Sequence, residues 1–203
     1  NLEHNSEINQ NIKQKMNIVL RNYQQECLNK MNSFINNKYS NNKRFIAQIP
    51  CGCGKTVIIH EFCKQYLNKK ILILVPSQLL VEQFLKEFND IKCNYLLTNH
   101  EIYNNSYNLT ICCYNSIYNV MNYKFDFVII DEAHHIQRPR IYRNNNNPDN
   151  NTQYLDIIKF HLKTDFEFYF SATIDNPDFV YTMDQAIEQK YLIDYQVEIH
   201  NIT

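Results

Sequence analysis

The sequence predicts a three-layer α/β domain, a mostly parallel central sheet with helices on both faces. Three observations carry this. The runs ILILV, LTICC and FDFVII are nearly unbroken apolar segments, the pattern of strands buried on both sides. Segments with apolar residues at helical spacing alternate with them, as in successive βα units. And 203 residues suffice for one large domain with a substantial core.

In chain order, residues 1–17 are polar and read as a tail or frayed helix. From Ile18 to Ile35 the placing of Leu20, Cys27, Leu28, Met31 and Phe34 predicts a helix. The Asn- and Lys-rich SNNKR makes a turn into a buried strand, FIAQI. After CGCGKT comes the helix VIIHEFCKQYL, with Val57, Ile58, Phe62 and Tyr66 on its apolar side. The strand ILILV leads to a second helix, SQLLVEQFLKEF, with Ser77 placed to cap it. NYLL, LTICC, FDFVII and FEFYF are the further strands. Residues 138–153, RPRIYRNNNNPDNNTQ, are polar and low in complexity and read as a surface loop. No repeat and no linker divides the rest, so 18–203 reads as one domain.

Composition excludes several classes. Lys plus Arg is 20 and Asp plus Glu is 21, a net charge of -1, so affinity from bulk positive charge is ruled out. Hydrophobic residues at 44% and aromatics at 13% are too many for a disordered chain. No apolar run reaches the ~18 residues of a membrane span, and the polar start has no signal-peptide core; a membrane is not expected as partner. The seven cysteines are odd in number, and Cys51/Cys53 and Cys112/Cys113 lack the CxxC spacing of zinc sites. They read as reduced, mostly buried thiols in an intracellular reducing compartment such as cytoplasm, nucleus or viral factory.

Glycine and alanine are scarce, as an A+T-rich coding sequence would make them. The two glycines are Gly52 and Gly54, and the four alanines are Ala47, Ala133, Ala172 and Ala186. Small residues retained against such pressure mark backbones that need them. Two of the chemistry-bearing segments lie there.

The first is Pro50-Cys51-Gly52-Cys53-Gly54-Lys55-Thr56, between a strand and a helix. A phosphate chain needs inward-turned backbone N–H groups, which glycine permits, and a helix N-terminus beyond them. Lys55 would reach the outer phosphates and the Thr56 hydroxyl would ligate Mg²⁺. Ile49 stands where the full pattern has a first glycine, and an ordinary turn is the bland alternative. The second is FDFVIIDEAHH, which sets Asp131 and Glu132 at the carboxyl end of a strand, where α/β sheets bind ligands. Asp131 would hold Mg²⁺ and Glu132 would activate a water; the alternative is acids decorating a helix N-terminus. His134 and His135 lack a third spaced ligand for zinc.

With IPCGCGKT, DEAHH and Ser171-Ala172-Thr173 in that order, each after a strand, the chain resembles the first RecA-like domain of a superfamily-2 helicase or translocase. The DEAHH and QAIEQKYLIDYQV segments are most similar to the DEAH-type branch that includes type III restriction motor subunits and repair helicases. The resemblance implies a P-loop NTPase with ATP and Mg²⁺ as cofactors, DNA or RNA as partner, and Asp131, Glu132 and Lys55 as catalytic groups. LRNYQ resembles the adenine-reading motif, which implies Gln24 on the base edge with Arg21 and Tyr23 in support. LVPSQLLVEQ implies nucleic-acid contacts from Pro76, Ser77 and Gln83, and TICCYNSI implies them from Cys113 and Ser116. His134, Ser171 and Thr173 are implied to couple the nucleotide site to strand movement.

Cys51, Cys53, Cys113 and Lys190 depart from the family pattern, Lys190 standing where glycine is common. No arginine-finger motif follows SAT, so the chain is expected to be one half of the motor, poorly active without a second RecA-like domain beyond the C-terminus. A non-motor P-loop NTPase and a non-catalytic nucleic-acid-binding remnant are the alternatives.

Overall fold

Successive residues of a strand leave the sheet in opposite directions, and in the central strands of this domain both sets are buried. A computed structural model describes residues 19–37, 42–98, 101–137, 158 and 161–193. The tail at 1–17, the loop at 138–153, the first residue of the Ile18–Ile35 helix and the last residues of QAIEQKYLIDYQV lie outside the described residues.

In chain order the elements are α1 (Asn22–Asn36), β1 (Arg44–Gln48), α2 (Lys55–Gln65), β2 (Ile71–Val75), α3 (Gln78–Glu87), β3 (Cys93–Leu96) and β4 (Leu109–Cys113). A 3-10 helix at Tyr114–Asn119 follows, then β5 (Lys124–Ile130), α4 (His134–Gln137), β6 (Lys163–Ser171), β7 (Phe179–Val180) and α5 (Met183–Glu188). Among the described residues seven strands form one sheet in the order β3-β4-β2-β5-β6-β1-β7, and every pairing is parallel.

The apolar runs divide as a doubly covered sheet requires. Ile71, Ile73 and Val75 of β2 join Phe127 and Ile129 of β5 and Phe168 and Phe170 of β6 in one core, under Leu28 and Met31 of α1 and Ile58 and Phe62 of α2. Leu72, Leu74, Val128, Ile130 and Tyr169 enter the other core, with Ile117 and Ile136. At about 25 cal/mol per Å² of apolar surface, these two cores supply most of the driving force for the three-layer arrangement.

The predicted strands and helices are present with small shifts at their ends. The first helix starts later than its pattern suggested: Arg21 is extended, φ -68° and ψ 156°, and caps α1. Ser77 caps α3, its hydroxyl accepting the Leu80 N–H at 3.3 Å. The seventh strand, β7, was not expected. Ala47, Ala133 and Ala186 are fully buried and Ala172 is half-buried. Five of the seven free cysteines are buried, and Cys51 is exposed. Among the described residues no helix is long and apolar enough to cross a membrane.

Parallel pairing points every strand's carboxyl end the same way, and the order inserts β6 between β1 and β5. The register sets Gln48 of β1 beside Ser171 of β6, and Ile130 of β5 beside Tyr169 of β6. The segments after Gln48, Ile130 and Ser171 therefore emerge as neighbours.

Candidate active site

The phosphate loop begins where β1 ends. Ile49 N–H donates to the Ser171 carbonyl at 2.9 Å, and Cys53 N–H closes a turn onto the Pro50 carbonyl at 3.3 Å. Gly52 and Gly54 have φ of 77° and 70°, the left-handed region that other residues enter at a cost. Gly54 has a second constraint: a Cβ there would stand 2.7 Å from Gln24 Nε2. From Gly54 the chain enters α2, whose first residues are Lys55 and Thr56.

The carboxylate turn begins where β5 ends and is tied to both flanking strands. Asp131 N–H donates to the Leu74 carbonyl and Ala133 N–H to the Phe170 carbonyl, each at 2.9 Å. The Tyr114 hydroxyl donates to the Asp131 backbone carbonyl. Glu132 takes φ 49°, an unusual conformation for a residue with a side chain and one common at functional turns.

These segments bring the charged groups together. Lys55 Nζ lies 3.0 Å from Glu132 Oε1 and donates to the Ile49 carbonyl at 3.5 Å. Glu132 Oε2 lies 3.4 Å from His134 Nδ1, which is 2.9 Å from Ser171 Oγ. Ser171 Oγ donates to the Thr173 carbonyl at 3.1 Å and accepts the Thr173 N–H at 3.2 Å. The direction of the His134–Ser171 hydrogen bond depends on the imidazole tautomer. Lys55, Glu132, His134, Ser171 and Thr173 thus form one connected polar line.

Asp131 stands beside it, only 4% exposed, and its Oδ1 has no hydrogen-bond partner among the described residues. Burial first, and then the neighbouring Glu132 charge, push its pKa from the ordinary 3.8 up to about 6, against the pull of Lys55. An orphaned buried carboxylate oxygen calls for a cation or a proton. Asp131 and Thr56 line the same cavity, and a carboxylate with a hydroxyl is an oxygen set suited to Mg²⁺, which keeps much of its water.

That cavity measures about 630 Å³ and is lined by Cys51, Gly52, Gly54, Lys55, Thr56, Asp131 and Glu132, and on its outer side by residues of α2 and α3. Pro50 and Cys53 are buried behind the loop. Arg21, Tyr23 and Gln24, expected to read adenine, do not line this cavity. Tyr23 OH donates to the Cys53 carbonyl at 2.6 Å. Gln24 Nε2 donates to the same carbonyl at 3.3 Å, and Gln24 Oε1 accepts the Arg21 N–H at 2.9 Å. Gln24, 4% exposed, is thereby bound to the loop itself.

The expected nucleic-acid contacts are not brought together as a set. Pro76 and Ser77 lie half-buried at the carboxyl end of β2. Gln83 lines the cavity of the phosphate loop, its amide donating to Glu87 at 2.9 Å. Cys113 and Ser116 are 1% and 0% exposed, so their side chains do not present a polar atom at the surface. Both side chains are turned inward, Cys113 at the end of β4 and Ser116 in the 3-10 helix. Asn115 and Tyr118 are the exposed residues of that bend. Tyr114, which braces the Asp131 carbonyl, was missed, since a tyrosine after a strand carries no motif of its own.

A family model described as "Type III restriction enzyme, res subunit" matches residues 17–176. No curated protein matches the sequence. Among solved structures, the chain is similar to a nuclease-deletion mutant of the Type ISP restriction-modification enzyme LlaGI in complex with a DNA substrate mimic, at 17% identity and TM-score 0.60. It is similar also to the ATP-dependent Type ISP enzyme LlaBIII bound to DNA, at 18% identity and TM-score 0.66, and to the UvsW helicase from bacteriophage T4, at 17% and 0.54. These alignments cover 86%, 88% and 86% of this chain, and 21%, 16% and 57% of the respective relatives. The likeness shows the fold, a RecA-like α/β domain.

Proposed function

The chain belongs to the type III restriction enzyme res-subunit family, and from that premise we propose that it is the ATP-binding half of a DEAH-type helicase or translocase, coupling ATP hydrolysis to movement along DNA or RNA. The observation that carries this reading is the Lys55–Glu132 contact at 3.0 Å beside the Asp131 carboxylate, whose Oδ1 has no partner among the described residues. A cation for phosphates, a base for water and an acid for metal converge at one cavity.

ATP supplies the phosphoanhydride bond, and its Mg²⁺ the shielding of phosphate charge. The residues divide the remaining work. Backbone N–H groups of the loop from Gly52 into α2, apart from that of Cys53, which is bonded to Pro50, would cradle the phosphates, and Thr56 and Asp131 would hold the cation. Lys55 meets the outer phosphates, and to do so exchanges one anion, Glu132, for another. Released from Lys55, Glu132 is free to orient a water and take its proton. His134 feels that change through Glu132 and passes it to Ser171 and Thr173. An arginine from a second RecA-like domain would complete the charge stabilisation. Pro76 and Ser77, at the capped start of α3, would meet the nucleic-acid backbone.

Binding and turnover of ATP by single-residue variants test this. Lys55→Ala is expected to lose nucleotide affinity. Glu132→Gln is expected to bind ATP at least as well as wild type, because the anion competing for Lys55 is gone, with turnover reduced by about 100-fold or more. Unchanged turnover in both variants would sink the catalytic reading.

A further inference from the structure

We infer that Tyr191 is a positioning residue for the purine base: it holds the Arg21 guanidinium flat and in place as a stacking platform. This rests on the ATP-binding reading above.

Arg21 Cζ lies 4.3 Å from the centroid of the Tyr191 ring. A guanidinium is planar and has two faces. With one on Tyr191, the other is the face that a flat base can stack upon. The guanidinium edge is fixed too, since Arg21 Nη1 donates to Tyr23 OH at 3.2 Å, and that hydroxyl donates onward to the Cys53 carbonyl of the phosphate loop. Platform and loop are thus one connected unit.

Tyr191 is itself well anchored. Tyr23 lies parallel to Tyr181 with centroids 3.8 Å apart, and Tyr191 packs at a tilt on Tyr23 with centroids 5.7 Å apart. The backbone N–H groups of Tyr191 and Leu192 both donate to the Ala186 carbonyl, at 2.8 and 3.1 Å. Leu192 Cδ2 comes to 3.4 Å of where a Cβ on Gly52 would stand. The turn after α5 therefore packs on Arg21 and Tyr23 and leaves Leu192 beside Gly52.

A free arginine has many rotamers, and immobilising it on binding opposes affinity. Stacking on Tyr191 removes that cost before the base arrives. The benefit concerns the base and not the phosphates, which separates positioning from general support of the fold.

Isothermal titration of ATP and of inorganic tripolyphosphate, each with Mg²⁺, is the test. Tyr191→Ala is expected to weaken ATP by about tenfold, leave tripolyphosphate unchanged, and be rescued by Tyr191→Phe, which keeps the ring. Combined with Arg21→Ala, it should add little to the loss from Arg21→Ala alone. Equal weakening of both ligands, no weakening of either, or full additivity with Arg21→Ala would overturn the inference. If wild type binds neither ligand, the ATP-binding reading itself fails and this inference falls with it.

Discussion

Asp131 shows how one buried atom ties function to stability. Its raised pKa means that the native state holds a proton which the unfolded chain has already released. The Asp131 contribution to stability is therefore greatest below the ordinary value of 3.8 and is lost as pH rises through about 6. Without nucleotide, Asp131→Asn should be more stable than wild type at neutral pH, by on the order of 2 kcal/mol. Urea midpoints taken from pH 7 down to 4 should show that advantage shrinking. An advantage independent of pH would mean that the carboxylate is not the cause. On the metal role proposed for Asp131, Mg²⁺ affinity should fall below about pH 6, where the carboxylate keeps its proton.

At the scale of elements, the turn after α5 carries a mismatch between residue and backbone. Lys190 has φ 60°, and its N–H closes the helix end onto the Ile187 carbonyl at 2.9 Å. Glycine is favoured at such helix ends because a side chain in the left-handed region costs about 1 kcal/mol. Lys190→Gly is accordingly expected to raise stability by roughly 1 kcal/mol in thermal or urea unfolding; a loss would show that the lysine side chain holds the turn. Lys190 had stood out in the sequence as a departure from glycine, though only the backbone gives the departure a cost. Other elements differed in how plainly they could be read. ILILV was legible as a strand because both of its faces are buried, which demands five apolar residues in a row. Phe179–Val180 was not, since a two-residue edge strand with Val180 46% exposed leaves no periodicity. The phosphate loop and carboxylate turn were legible because their chemistry fixes residue type and spacing. The binding of Gln24 to the Cys53 and Gly54 carbonyls was not, because it joins residues some thirty positions apart through a backbone atom common to every amino acid. The burial of Cys113 and Ser116 was not legible for a related reason: a motif says which residues recur at a bend, not which way a short side chain turns.

At the scale of the molecule, one feature of the sheet governs the site. All strands run parallel, and β6 lies between β1 and β5, so the SAT segment emerges between the phosphate loop and the carboxylate turn. The line from Lys55 through Glu132 and His134 to Ser171 and Thr173 exists because of that strand order. It links the charged groups of the cavity to the segment that follows β6. Such a route matters only if nucleotide state and nucleic-acid binding are coupled. Coupling is reciprocal, so nucleic acid on the protein must alter what happens to ATP. The most direct measurement is the ATP hydrolysis rate of the full-length protein with single-stranded DNA, single-stranded RNA, duplex or no nucleic acid. A motor domain is expected to hydrolyse ATP slowly alone and several-fold faster with one of these tracks, with the stimulation absent in Glu132→Gln. A rate indifferent to all three, with ATP still bound, would contradict a motor and leave a simple nucleotidase or a silent remnant.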